Sequence, residues 1–204
     1  MIILDCKQGS DAWQEARLGI PTASRFDQII TPKTLKPSTS ATRYLYELVA
    51  EELLGEPLDD AASDFMVRGT ALEASAVSWY EFEAGLDTTE VGFCLRDDKL
   101  VGCSPDRLIG DHGGLEIKCP APANHVMYLA DNSKLVEKYR CQVQGGMWLC
   151  ERAWWDLVSY HPTIAPVKVR VIRDEPFICA LRECMKTFLE RLQEARQKVK
   201  ALAA

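Results

Sequence analysis

The sequence predicts an α/β protein of the α+β type, with a mixed central β-sheet flanked by helices. Segments whose apolar residues recur at helical spacing, such as 40–54 and 135–149, are interspersed with short segments that alternate as strands do, such as 154–160 and 167–172. The chain has 204 residues, of which 47% are hydrophobic. This length and composition suit a substantial core, so we expect residues 1–204 to form a single domain.

Helices are predicted to dominate the first 82 residues, after a short strand within residues 1–7. Ser10 is a good N-cap for a helix that ends at Gly19, and Thr22 is expected to cap a second helix that continues through Ile30. Apolar spacing and breaker residues predict a loop at 31–39, a helix at 40–54 and a helix at 64–82.

Strands are predicted to dominate the middle of the chain. Residues 88–95 alternate in part, and a hairpin is expected at 108–115 because its middle is rich in glycine. The prolines of 119–122 are expected to stop the following strand. Beyond it, the pattern predicts a helix, two strands and a final helix that Asp174 caps, within the ranges 135–149, 154–160, 167–172 and 174 onward.

Composition sets limits on partners and environment. The formal net charge of −6 argues against indiscriminate binding of polyanions by the whole surface, although local basic positions and bound cations can still hold phosphates. No apolar run reaches 18 residues and no secretory signal is visible, so no membrane span is expected. The eight cysteines form no C-x-x-C pair, which favours reduced, mostly buried thiols in a cytoplasmic protein over a zinc or iron–sulfur site.

The stretch from Gly102 to Pro120 carries the strongest candidates for chemistry. Glu116 and Lys118 are two residues apart on a predicted strand, so they share a face while Ile117 points the opposite way. If the hairpin pairs regularly, Asp106 lies near Glu116. Two carboxylates beside a lysine form a plausible site for a hard cation such as Mg²⁺, which takes one or two carboxylates together with substrate phosphate.

Other candidate residues each allow a structural interpretation as well as a functional one. Arg17 is either a cation in the last turn of a helix or a two-pronged clamp for a phosphate, and Ser24 is either a cap or a phosphate ligand in a first turn. Glu73 is by itself more often exposed than functional. Among later residues, His125 is expected to be structural, and the amides of Gln142 and Gln144 can bind DNA, orient neighbours or simply be solvated.

Several motifs together resemble one known family. Pro105-Asp106 followed by Glu116-Ile117-Lys118 matches the signature of the PD-(D/E)XK nuclease superfamily. Three further motifs occur in the order and at the spacing of the lambda-exonuclease, YqaJ-like alkaline exonuclease family of viral recombination nucleases. They are an N-terminal set of Trp13, Arg17 and Ser24, the segment 68–73, and a downstream set of Tyr139, Gln142, Gln144 and Trp148. The resemblance covers about residues 8–160.

This resemblance implies a restriction-endonuclease-like core and a metal-dependent exonuclease that digests one strand of linear double-stranded DNA from 5′ to 3′. It implies one or two Mg²⁺ ions, which Mn²⁺ can replace, and a homotrimer that supplies a single-strand annealing protein with 3′ tails. The site residues are carried over by role: catalytic Asp106, Glu116 and Lys118; metal ligands Asp106, Glu116, the Ile117 carbonyl and Glu73; a pocket for the 5′ phosphate at Arg17, Ser24 and Ser104; and Gln142 as a helper.

Three alternatives remain at this point. The first is an endonuclease of the same superfamily, which would cut a closed circle. The second is a non-catalytic DNA-binding protein with a degenerate site. The third is a helix–sheet protein whose surface carboxylates are arranged by chance. The complete set of Asp106, Glu116 and Lys118 speaks against the second alternative.

Overall fold

A computed structural model describes residues 1–58 and 64–203, with residues 64–71 and 203 described as backbone only. The helices are α1 (Asp11–Arg17), a 3₁₀ helix (Ala23–Gln28), α2 (Ala41–Leu54), α3 (Asp64–Ala84), α4 (Pro122–Ala130), α5 (Ser133–Leu149) and α6 (Glu175–Ala203). The strands are β1 (Ile2–Leu4), β2 (Ile30–Thr31), β3 (Lys36–Pro37), β4 (Phe93–Leu95), β5 (Gly102–Cys103), β6 (Arg107–Ile109), β7 (Gly113–Lys118), β8 (Trp154–His161) and β9 (Ile164–Ile172).

The four strands β6 to β9 form the central sheet, in the order β6-β7-β8-β9. The pair β7 and β8 is parallel, whereas β6 and β9 run antiparallel to their neighbours. A parallel pair needs a long crossover, and α4 and α5 form it. Strands β1, β4 and β5 form a separate antiparallel sheet, and β2 pairs with β3. The mixed sheet with flanking helices confirms the predicted fold class.

The two faces of the central sheet bury separate cores. On one face, Leu115 and Ile117 of β7 pack with Val77 and Tyr80 of α3. On the other face, Trp155 of β8 joins the larger core to which α2, α5 and α6 contribute. Successive strand residues point to opposite faces, so Glu116 lies on the side of β7 that faces α5, as the two-residue period predicted.

Two adjacent glycines allow α5 to lie close to its neighbours. A Cβ added at Gly145 would stand 2.5 Å from the ring of Phe26 in the 3₁₀ helix. A Cβ at Gly146 would stand 3.0 Å from the ring of Trp155 in β8. Both separations are shorter than carbon–carbon van der Waals contact, so residues without side chains are needed where α5 packs on the 3₁₀ helix and on β8.

Helix boundaries agree best with prediction where a capping side chain is involved. The Ser10 hydroxyl accepts the backbone N–H of Trp13 at 3.3 Å, and Asp174 accepts the backbone N–H of Phe177 at 3.0 Å. These contacts confirm both predicted N-caps. In the part of the chain that the structure describes, no helix is both long enough and apolar enough to cross a bilayer.

Several predicted boundaries were wrong. The helix expected from Thr22 to Ile30 is only a 3₁₀ helix kinked at Arg25, and the Thr22 hydroxyl contacts Ser24 instead of capping. The loop expected at 31–39 contains the β2–β3 pair, and the early strands are shorter than predicted, at 2–4 and 93–95. Pro122 begins α4 instead of only ending a strand, because proline is favoured in the first helical turn.

Candidate active site

The β6–β7 hairpin places one predicted carboxylate beside the other. Arg107 pairs with Leu115, so Asp106 immediately before β6 lies across from Glu116. The Asp106 Oδ2 atom accepts the backbone N–H of Ile117 at 2.5 Å, which fixes this carboxylate against β7. The regular pairing that was assumed from the sequence is therefore present.

Glu116 is the centre of a buried polar cluster. It is 4% exposed, and its Oε1 atom accepts hydrogen bonds from Lys118 Nζ and Gln142 Nε2, each at 2.6 Å. The Lys118 ammonium also lies 4.9 Å from the centre of the Tyr139 ring. Strand period brings Glu116 and Lys118 to one face, and the facing helix α5 presents Tyr139 and Gln142 one turn apart on a single side.

Glu73 approaches the same cluster from α3. Its carboxylate is half-buried and lies 3.9 Å from the Arg107 guanidinium, which also approaches Glu90 at 3.7 Å. The helix that contains the segment 68–73 begins at Asp64, so this segment lies inside the helix and not at its start. The side chains of 68–71 lie outside the described residues.

The electrostatics of the cluster indicate an excess of negative charge. Burial raises the pKa of Asp106 well above its usual range, and repulsion from Glu116 adds to this effect. Burial likewise raises the pKa of Glu73, with Glu116 contributing and Arg107 opposing. Burial alone would lower the pKa of Lys118, but the Glu116 and Asp106 carboxylates outweigh it and raise this pKa.

The donor atoms of this cluster fit a hard divalent cation. Asp106, Glu116 and Glu73 supply carboxylate oxygens, which Mg²⁺ prefers, and a cation among them would relieve their mutual repulsion. The Ile117 carbonyl remains a predicted further ligand. A hydroxyl or ammonium group in the place of the cation would offset only part of the negative charge of these carboxylates.

A second group of residues forms around Ser104, just before Asp106. The Ser104 hydroxyl accepts hydrogen bonds from Trp13 Nε1 at 2.9 Å and from Arg17 NH1 at 3.1 Å. The Arg17 guanidinium stacks 4.0 Å from the centre of the Trp13 ring, since these residues are four apart on α1. Among the described residues, no carboxylate oxygen lies within 4 Å of Arg17. Its charge is therefore available to an anion.

One cavity joins the two groups. The residues that line it include Arg17, Ser24 and Ser104 as well as Glu116 and Gln142. An anion held by the arginine and the serines would thus lie next to the carboxylate cluster. Residues predicted for two separate roles, from positions 17 to 142 of the chain, converge on a single space.

A comparison with known protein families matches most of this chain. The family model described as the YqaJ-like viral recombinase domain matches residues 12–153. The chain belongs to this family. The match spans α1, the β6–β7 hairpin and α5, and so includes every predicted site residue. Among curated protein sequences, no significant match is found.

Solved structures give this YqaJ-like protein a close structural relative. The alkaline exonuclease LHK-Exo from Laribacter hongkongensis is 32% identical, with a TM-score of 0.84, over 95% of this chain and 98% of LHK-Exo. LHK-Exo in complex with dAMP matches with the same identity and coverage and a TM-score of 0.85. A phage related exonuclease from Haemophilus somnus 129PT is 15% identical, with a TM-score of 0.70 over 88% of this chain and 96% of its own; it shares the fold.

Other predicted polar residues of the YqaJ-like chain have structural roles. His125 is fully buried; its Nδ1 lies 2.7 Å from Ser159 Oγ and its Nε2 lies 3.1 Å from the Ala165 carbonyl oxygen, which agrees with the structural interpretation. Gln144 donates to the Ile172 carbonyl and accepts the backbone N–H of Asp174, so it ties α5 to the end of β9. Gln142 lines the cavity, whereas Gln144 does not.

The basic residues of β9 and its end are engaged within the protein. Arg170 pairs with the buried Asp156 carboxylate and stacks 3.7 Å from the Trp154 ring. Arg173 donates to the Met147 carbonyl at 2.6 Å. The sequence allows these arginines to face DNA or solvent, and in the structure both are engaged by contacts within the protein.

Sequence reasoning included two contributors to the site in the family motifs but gave them no role. Trp13 holds both Arg17 and Ser104, and Tyr139 lies against Lys118. The signal for Trp13 was its four-residue separation from Arg17 on a predicted helix. The three-residue separation of Tyr139 and Gln142 predicts that they share a helical face. The proximity of Tyr139 to Lys118 depends on how α5 crosses the sheet.

Proposed function

We propose that the chain is a metal-dependent exonuclease that degrades one strand of linear double-stranded DNA from 5′ to 3′ and leaves 3′ single-stranded tails for recombination by strand annealing. The observation that carries this proposal is the shared cavity, which Arg17, Ser24 and Ser104 line together with Glu116 and Gln142. A terminal phosphate and a scissile phosphodiester are about one nucleotide apart, so an exonuclease needs these two functions in adjacent positions.

Similarity to a solved exonuclease supports the reaction class. LHK-Exo, which matches nearly the whole chain at 32% identity, is described as an alkaline exonuclease, and its complex with dAMP contains a mononucleotide. Family membership also supports a role in recombination, since the matching family is a viral recombinase domain.

Recognition of the DNA end is assigned to the residues around Ser104. Arg17 offers a planar guanidinium that matches a phosphate in two-pronged fashion, and its stacking on Trp13 holds it in position. The hydroxyls of Ser24 and Ser104 add uncharged donors. A terminal phosphate carries more negative charge than an internal diester, so this group favours a phosphorylated 5′ end.

The reaction is hydrolysis of a phosphodiester. The oxygen of a water molecule bonds to phosphorus, the bond from phosphorus to the 3′ oxygen breaks, and that oxygen takes up a proton. Lys118 would orient or deprotonate the water or stabilise charge on a phosphoryl oxygen, and Gln142, which donates to Glu116, would keep that carboxylate in orientation. Each cleavage creates a new 5′ phosphate, which can occupy the Arg17 pocket in turn.

Asp106, Glu116, Glu73 and the Ile117 carbonyl would hold Mg²⁺, for which Mn²⁺ can substitute. When bound, a divalent cation lowers the pKa of water and neutralises charge that builds on the phosphoryl oxygens. By family resemblance, the proposal includes a homotrimer around double-stranded DNA, a single-strand annealing protein as partner, and a cytoplasmic location.

The test uses linear duplex and closed circular DNA, each with Mg²⁺ and with EDTA. The proposal predicts loss of the linear duplex with Mg²⁺ alone and an intact circle. It also predicts that the alanine variants of Asp106, Glu116 and Lys118 remain folded but do not cut. Cutting of the circle would indicate an endonuclease, and absence of cutting in Mg²⁺ and Mn²⁺ would indicate a non-catalytic DNA-binding protein.

A further inference from the structure

Three cysteines from separate elements of the fold lie together beside the cavity. Cys94 in β4 pairs with Cys103 in β5, and Cys150 is the residue that ends α5. The Sγ atoms of Cys103 and Cys150 are 3.5 Å apart, and the three sulfur atoms all lie within 4.8 Å of one another. All three side chains are buried. We call these residues the cysteine triad.

The spacing of the sulfur atoms suits a thiophilic metal ion. A zinc–sulfur bond of about 2.3 Å with tetrahedral angles requires sulfur atoms about 3.8 Å apart, and a planar three-coordinate ion requires about 4.0 Å. The 3.5 Å between the Cys103 and Cys150 sulfur atoms and the 4.8 Å limit on all three pairs bracket both values. We propose that Cys94, Cys103 and Cys150 form a three-thiolate site for Zn²⁺, distinct from the carboxylate cluster.

The surroundings of the triad favour a cation with soft ligands. A hydrogen bond from Cys103 and a second from Cys150 lower the pKa of the Cys94 thiol, and the positive charge of Arg152 lowers it further. These contacts favour the thiolate form of Cys94. Binding of Zn²⁺ would displace the protons of the other two thiols, giving a complex with net charge −1 that the nearby Arg152 partly balances.

In the described ranges, no further cysteine, histidine or acidic side chain joins the three cysteines as a ligand. Water would therefore take the fourth position of a zinc tetrahedron. The carboxylate cluster presents only oxygen and would select a hard ion. The two sites thus differ in ligand chemistry.

The position of the triad suggests a structural role for the ion. Cys103 lines the cavity and immediately precedes Ser104, whereas Cys150 terminates the helix that carries Gln142. A metal bound by both would join β5 to the end of α5. The two halves of the cavity wall would then be held at a fixed separation without the ion touching the substrate.

The test is binding of Co²⁺, used alone as a spectroscopic substitute for Zn²⁺, to protein kept reduced with a phosphine and stripped of metal. A thiolate–cobalt charge-transfer band in the near ultraviolet is expected at one Co²⁺ per chain, and Zn²⁺ should abolish it. Co²⁺ at the carboxylate cluster produces no such band, because the band requires sulfur. The result is therefore independent of whether the protein cuts DNA.

Variants locate the ion. Cys94→Ser and Cys150→Ser should each weaken cobalt binding at least tenfold, whereas Cys141→Ser should not change it. Cys141 is a matched control, because it is also buried on α5 but lies outside the triad. No charge-transfer band in the wild-type protein would overturn the proposal whatever the folding of the variants. An unchanged band in folded Cys150→Ser would also overturn it.

Discussion

Replacing Arg17 with alanine would remove the charged group that faces the cavity beside Ser104. The guanidinium is held by the Ser104 hydroxyl at 3.1 Å and by stacking 4.0 Å from the Trp13 ring, so it is positioned before DNA arrives. A hydrogen bond to a charged group contributes about 1.5–3 kcal/mol. At about 1.36 kcal/mol for each factor of ten, Arg17→Ala should lower kcat/KM on 5′-phosphorylated ends about 10- to 150-fold.

The assay compares kcat/KM on duplexes that are identical except for a 5′ phosphate or a 5′ hydroxyl. Arg17→Ala should lose most of the preference for phosphate and change little on hydroxyl ends. The matched control is Arg96→Ala, because Arg96 also lies over an aromatic ring, 5.5 Å from the centre of Trp148, but is paired with Asp98 and does not line the cavity. An equal loss on both ends would refute the phosphate pocket.

Three further predictions concern orientation, packing and pH. Gln142→Ala removes one of the two hydrogen bonds to Glu116 Oε1 and should lower activity about 10- to 100-fold at a fixed Mg²⁺ concentration with unchanged circular dichroism; full activity would contradict the orienting role. Gly145→Ala should lower the free energy of unfolding by about 1–3 kcal/mol in urea titrations, and Phe26→Leu should restore part of it; additivity of the two changes would contradict the packing argument. Burial lowers the pKa of His125, the hydrogen bond with the Ala165 carbonyl oxygen opposes this shift, and the neighbouring His161 ring adds to it. The neutral form of His125 therefore stabilises the fold above the unfolded pKa of about 6.5, and this stability is lost as pH falls from there toward the lower folded pKa. His125→Gln should flatten the fall of urea midpoints between pH 7 and pH 5, and an unchanged slope would count against the assignment.

Local rules predicted the parts of the site that are close in sequence. The two-residue strand period placed Glu116 and Lys118 on one face and Ile117 on the other, and the hairpin placed Asp106 opposite Glu116. The helical period placed Tyr139 and Gln142 together. Each of these results depends only on backbone geometry within one element or one tight turn.

Long-range convergence was not predictable from the residues alone. The association of Arg17 with Ser104 came from family resemblance, since 87 residues separate them and no periodic rule relates them. The cysteine triad had no signal, because its members occupy two paired strands and the end of a remote helix. The spacing that argued against a C-x-x-C metal site did not exclude three elements that bring one cysteine each.

Errors in the secondary structure arose where local preferences compete. Pro122 can end a strand or begin a helix, and here the helix prevails because its apolar residues, among them the buried Tyr128, pack against the sheet. Thr22 can cap a helix, but its backbone N–H donates to the Tyr44 hydroxyl and its side chain contacts Ser24. In both cases tertiary contacts decided between two conformations that the sequence allowed.

The most direct test of the central claim is digestion of a linear duplex with a phosphate at one 5′ end and a hydroxyl at the other, each strand carrying its own label. In Mg²⁺, the account predicts that nucleotides leave the phosphorylated strand from its 5′ end, while the other strand is retained as a single-stranded tail. Equal release from both 5′ ends, or release from a 3′ end, would contradict the claim that the Arg17 pocket delivers the DNA end to the carboxylate cluster.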